Sequence, residues 1–120
     1  MQSYDPVKIV IFVGARRLEA AMEQEMQARG VRVEWANSIQ AAAGLLNSAI
    51  EERKVVITEL ALTDGNWRDQ VERIRTLGTP IPIVLVTSAS TAELWWDALE
   101  CGVEDILVAS LSASRLCQFL

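Results

Sequence analysis

The chain has 120 residues, with 11 Lys and Arg against 16 Asp and Glu and no His, for a net charge of −5; 51% of residues are hydrophobic and 22% charged. This describes one acidic globular domain over residues 1–120, long enough to bury a full core, and it excludes disordered and low-complexity classes. Without His there is no Ser-His-Asp or Cys-His nucleophile system, so no enzyme of those kinds is expected. A pI near 4.7 with no run of basic residues argues against nucleic acid as a partner.

In chain order, the first apolar run is Val7–Val13. The longest uninterrupted apolar stretch, Ile9 to Ala15, falls far short of the roughly 20 residues that cross a membrane. Asp5 and Pro6 before it and Arg16 and Arg17 after it are the wrong flanks for a secretion signal, so a soluble, cytoplasmic protein is expected. The next segment places Leu18, Met22 and Met26 on one helical face and stops at Gly30. A second run, Val31–Ala36, leads to a helix opening at Asn37 with Gln40 three residues on, burying Ile39, Ala42, Ala43, Leu46 and Ile50.

The third run, Lys54–Glu59, is followed by a turn, Thr63-Asp64-Gly65-Asn66, in which Asp64 is expected to serve the backbone. A helix from about Asn66 to Gly78 turns Trp67, Val71, Ile74 and Leu77 inward. Pro80 and Pro82 prevent its continuation and start the fourth run, Ile81–Thr87. Ser90 and Glu93 form a capping-box pattern for a fourth helix ending at Gly102, the fifth run is Glu104–Val108, and Ser112 is placed to cap a short fifth helix. Cys101 and Cys117, in apolar surroundings without CxxC spacing, read as small buried hydrophobes in a reducing compartment. No zinc site is available.

Short Val- and Ile-rich runs of this kind suit strands buried on both faces of a parallel sheet, and their alternation with helices gives a (βα)5 domain. In such a sheet, chemistry sits beyond the carboxyl ends of the strands. The residues to examine are Val13–Arg17, Glu59–Gly65, Thr87–Ser90 and Ala109–Leu111. No GxGxxG phosphate loop follows the first strand, where Gly14 stands alone.

These strand ends resemble the receiver domain of bacterial two-component response regulators over essentially the whole chain. VVITELALTDG resembles the family's third strand and phosphoacceptor loop, IPIVLVTSA its fourth strand with a terminal hydroxyl residue, and ALECGVEDILVASLS the stretch that usually ends in Lys-Pro. The resemblance implies a flavodoxin-like (CheY-like) doubly wound five-stranded parallel sheet in three layers, with strand order 2-1-3-4-5. It also implies a phosphoacceptor Asp after strand three, an acid pair after strand one holding Mg²⁺, and a Lys after strand five.

This chain departs from that pattern. Glu59 stands at the phosphoacceptor position, Val13, Gly14 and Ala15 fill the acid-pair region, and Ala109 and Ser110 replace Lys-Pro; of the remnant pocket positions only Thr87 fits. Mg²⁺ is usually held by one or two carboxylates, and no acid lies between Asp5 and Glu19. Glu is also one methylene longer than Asp, and a displacement near 1 Å can cost on the order of 100-fold in rate. No catalytic residue, metal or cofactor is therefore expected, and Thr87 reads as a strand-end hydroxyl satisfying a backbone group.

A carboxylate at the end of a central strand loses hydration unless a cation or several donors face it. Arg16 and Arg17 are the candidate partners of Glu59, the alternative being that both point to solvent. The leading functional expectation is an atypical receiver-like signalling and interaction module, with two alternatives: a phosphoacceptor receiver in a histidine-kinase relay, and a small-ligand domain on the same scaffold.

The resemblance places a protein partner or a second copy on the face of helix four, strand five and helix five, which carries Trp95, Trp96, Ile106 and Leu111. An effector domain beyond residue 120 is compatible with this pattern. Trp95 and Trp96 project about 100° apart on a helix, so both cannot face the sheet. The resemblance makes Trp95 the exposed one and Trp96 the buried one, and it puts Ile106 where the family carries a switch aromatic.

Overall fold

The computed structural model describes residues 7–48, 52–78, 80–89 and 91–108. Five of the Val- and Ile-rich runs form one sheet: β1 (Ile9–Val13), β2 (Arg32–Ala36), β3 (Lys54–Glu59), β6 (Ile83–Thr87) and β7 (Asp105–Val108). Two two-residue strands, β4 (Ala61–Leu62) and β5 (Gly65–Asn66), make a small antiparallel hairpin after β3. The helices are α1 (Ala20–Ala28), α2 (Ile39–Ser48), α3 (Trp67–Arg75) and α4 (Ala92–Glu100).

Every neighbouring pair in the large sheet is parallel and the order is β2-β1-β3-β6-β7. With the hairpin set aside this is 2-1-3-4-5, the order the resemblance implies. The register sets Val13 beside Ala36 on one side and Thr58 on the other, so β1 and β2 end level and β3 runs one residue further, to Glu59.

Side chains alternate across a strand, and the central strands use both faces. Ile9, Ile11, Val13, Val56, Ile83, Leu85 and Ile106 pack with Ala42 and Leu46 of α2, Trp67, Val71 and Ile74 of α3, and Ala98 of α4. Val10, Phe12, Val55, Ile57, Val84 and Leu107 pack on the opposite face with Met22 and Met26 of α1. The sheet is thus the middle of three layers.

Element ends differ from the sequence expectations in small ways. Leu18 is buried against the α1 layer but precedes the helix, which begins at Ala20. The cap of α2 falls one residue later than Asn37, with the Ser38 hydroxyl accepting from Ala41 N at 3.0 Å. For α4 the cap is Thr91, whose hydroxyl accepts from Leu94 N at 3.1 Å, one residue after the expected Ser90. In α3 the expected start holds: Asn66 accepts from Arg68 N and Asp69 N, and Asp69 accepts in return from Asn66 N. Ile50, Ser90, Ala109, Ser110, Leu111, the expected fifth helix with Ser112, and Cys117 lie outside the described residues.

Among the described residues no helix is long and apolar enough to cross a membrane. Cys101 is a free, partly buried thiol packed against the core.

Candidate functional site

At the carboxyl end of the sheet the chain leaves β1 through Gly14 and Ala15. Gly14 N donates to Ala36 O at 3.0 Å, which carries the β1–β2 ladder one residue past the strand. The next peptide unit is held at both poles. Its carbonyl, Gly14 O, accepts from Trp35 Nε1 at 3.1 Å, and its amide, Ala15 N, donates to Glu59 Oε1 at 2.7 Å. An N–H donor at this distance on a carboxylate is a charge-assisted hydrogen bond, of the stronger class.

Gly14 makes that contact sterically feasible. A Cβ at this position would lie 2.1 Å from Glu59 Oε1 and 2.9 Å from its Cγ, well inside van der Waals contact. Gly14 is not among the glycines with positive φ, so the requirement is for space and not for backbone freedom. The Glu59 side chain therefore lies across the end of β1, over the segment where the resemblance expects a metal-holding acid pair.

The expected pairing of Glu59 with Arg16 or Arg17 is corrected. Arg17 faces Glu23 of α1 at 3.8 Å, both arginines are exposed, and no ion pair joins either to Glu59 among the described residues. The cause lies in the loop: Leu18 is drawn into the core beside Met22, which turns the preceding arginines outward, where their charge keeps its water. Glu59 meets its need for a donor through the backbone. Arg16, Arg17 and Glu59 nonetheless line one open groove of about 370 Å³ with Phe12, Met22 and Val86.

Thr87, at the end of β6, turns back on its own loop, its hydroxyl donating to Ala89 O at 2.8 Å. Asp64, in the hairpin turn, reaches across to the start of α2, where its two carboxylate oxygens accept from Ile39 N at 2.8 Å and Gln40 N at 3.1 Å. The residue is a helix cap supplied from a distant loop, a role that turn chemistry alone does not reveal. Its pKa is lowered, first by the hydrogen bond from Ile39 and further by that from Gln40.

A carboxylate with a depressed folded pKa adds stability that is present above its unfolded value of about 3.9 and is lost as pH falls through the lower folded value. Asp64→Asn is therefore expected to lower the melting temperature at pH 7. The difference from wild type should shrink in melts taken below the unfolded pKa. Among the described residues no three His, Cys, Asp or Glu side chains converge to hold a metal ion.

The aromatic positions on α4 also differ from expectation. Trp96 is the more exposed at 68%, and Trp95 is 38% exposed. Leu94, Ala98 and Cys101 form the inward face of this helix, so both indoles fall outside it. Ile106 is buried in the core between sheet and helices and does not contribute to an exposed face.

No protein-family model and no curated protein sequence matches this chain. Solved structures do. A two-component response regulator from Clostridium difficile superposes with a TM-score of 0.80 at 24% identity, over 95% of this chain and 92% of that one. The chemotaxis protein CheY4 of Vibrio cholerae gives 0.77 at 18% identity over 95% and 96%. The beryllofluoride-activated NtrC4 receiver domain, solved as a dimer, gives 0.78 at 15% over 93% and 92%. At these identities the likeness is one of architecture: the chain has the fold of the response-regulator receiver domain.

Proposed function

We propose that this chain is a signalling module of the receiver type that acts through protein contacts and is not phosphorylated at the usual position. The observation that carries this reading is the Glu59 carboxylate seated over Gly14 and bonded to Ala15 N at 2.7 Å. In the receiver pattern the acid at this strand end takes a phosphoryl group beside a metal held by two further acids. Phosphoryl transfer depends on a metal and fixed cations to offset the developing charge. Here the strand-three acid is engaged with backbone, and the segment from Val13 to Arg17 offers no carboxylate as a metal ligand. Neither Mg²⁺ binding nor a catalytic role for Thr87 is part of this reading.

The test is incubation with acetyl phosphate and Mg²⁺ followed by intact mass measurement. The expected result is an unchanged mass. A stoichiometric phosphoryl adduct on Glu59 or Asp64 would overturn the reading in favour of a phosphoacceptor.

A further inference from the structure

At the end of the sheet away from Glu59, three neighbouring strands begin side by side. Arg53 precedes β3, Ile81 and Pro82 precede β6, and Glu104 precedes β7, and these strands are adjacent in the order β3-β6-β7. Pro82 O accepts from Val56 N at 3.0 Å and Ile83 O from Glu104 N at 2.8 Å, which fixes the three entries relative to one another. The last turns of α3 and α4 reach the same end through Arg75 and Cys101.

A cavity of about 400 Å³ lies among these segments, walled by Ile74, Ile81 and Cys101 and bearing the charges of Arg53, Arg75 and Glu104. Pro80 and Pro82, which lack an N–H, continue the apolar wall. The volume falls within the range of about 300–1,000 Å³ of small-molecule sites, which combine an apolar lining with a few polar groups.

The charges select the occupant. Arg75 is committed: its Nη2 donates to Cys101 O and its Nη1 faces Glu72 Oε1 at 3.7 Å, so it ties α3 to the end of α4. Gly102 leaves room for that strut, since a Cβ there would lie 3.0 Å from Arg75 Nη2. Arg53 and Glu104 are both exposed, and among the described residues neither forms an ion pair, with the other or with any third group. An anion in the cavity would compensate Arg53 but be repelled by Glu104, and a cation the reverse. An occupant that carries both charges on an apolar body satisfies the wall and both ends of this pair.

We infer that this cavity binds a small zwitterion with an apolar body, the chemistry of an aromatic α-amino acid. Its carboxylate meets Arg53, its ammonium meets Glu104, and its ring lies against Ile74, Ile81 and Cys101. The site is separate from the Glu59 end of the sheet and needs no event there.

The experiment titrates L-phenylalanine into the isotope-labelled full chain, without phosphodonor, and follows the backbone amides. Saturable displacement of the Ile83, Gly102 and Glu104 signals is expected, with those of Ala15 and Thr87 unmoved. L-Alanine, which lacks the ring, should give no saturable displacement. 3-Phenylpropanoate lacks the ammonium and phenethylamine lacks the carboxylate, so each should bind at least about fivefold more weakly than L-phenylalanine.

Two variants separate a charge contact from a disturbed fold, which would weaken every ligand alike. Arg53→Gln should weaken L-phenylalanine and leave phenethylamine at least as tightly bound as in wild type. Glu104→Gln should weaken L-phenylalanine and leave 3-phenylpropanoate at least as tightly bound. Equal affinity for the three aromatic ligands, unchanged L-phenylalanine affinity in both variants, or no saturable displacement at Ile83, Gly102 and Glu104 would overturn the inference. A phosphoryl adduct with acetyl phosphate removes only the reading of the strand-end site, and failure of these titrations removes only this one.

Discussion

Gly14→Ala is expected to lower stability in the wild-type background and to raise it when Glu59 is replaced by Ala. The new Cβ would fall 2.1 Å from Glu59 Oε1, so the carboxylate must leave and its bond to Ala15 N is lost. Glu59 is only partly buried, which holds the loss to roughly 1 kcal/mol. With Glu59→Ala the obstruction is gone, and because Gly14 has no positive φ, an alanine there fits the backbone. Restricting the unfolded chain then stabilises by about 0.4–1 kcal/mol. Chemical denaturation of the four proteins in this cycle measures the coupling. A loss of the same size in both backgrounds would mean that Glu59 does not occupy the space above Gly14.

The other large effect is expected at Gln70, on the inward face of α3. Its side chain is fully buried, and neither Nε2 nor Oε1 meets a protein partner among the described residues. An amide removed from water without compensation costs about 1–3 kcal/mol. Leu and Met fill a similar volume and have helix propensities close to that of Gln. Gln70→Met and Gln70→Leu should therefore stabilise the domain by up to that amount and raise its melting temperature by several degrees. A lowered melting temperature in both variants would show that the amide is hydrogen-bonded in solution.

The architecture was legible in the sequence because the strands at the centre of the sheet are buried on both faces, which requires the unbroken Val and Ile runs around Ile11, Val56 and Val84. Helix ends were legible where the cap is local, as with Asn66 and Asp69. They were not where the cap comes from elsewhere: Asp64 serves α2 from a loop 25 residues away, and no local pattern encodes that contact. Ser90 and Thr91 offer equivalent hydroxyls in adjacent positions, so pattern alone could not place the start of α4.

At the site, the end of the third apolar run marked Glu59 as a residue to examine, while its place at the phosphoacceptor position and the departure of the acid-pair region came from the resemblance. Of the two sequence alternatives for Arg16 and Arg17 the structure has the solvent-facing one. The donor to Glu59 went unforeseen, because a backbone N–H that approaches through an absent Cβ leaves no trace in residue type. The exposure of Trp96, expected to be buried, has a different origin. The inward face of α4 is set by Leu94, Ala98 and Cys101, so the buried position that the resemblance assigns to Trp96 does not carry over to this helix.

The most direct test of the central claim is the amide spectrum of the isotope-labelled chain on addition of Mg²⁺ and beryllofluoride, a mimic of the phosphoryl group. If the Glu59 carboxylate is committed to the Gly14–Ala15 peptide, the amides of Ala15, Glu59 and Thr87 stay in place at saturating reagent, while Glu59→Gln alone moves that of Ala15. A saturable, Mg²⁺-dependent displacement of the Ala15 and Thr87 signals in the wild type would contradict it.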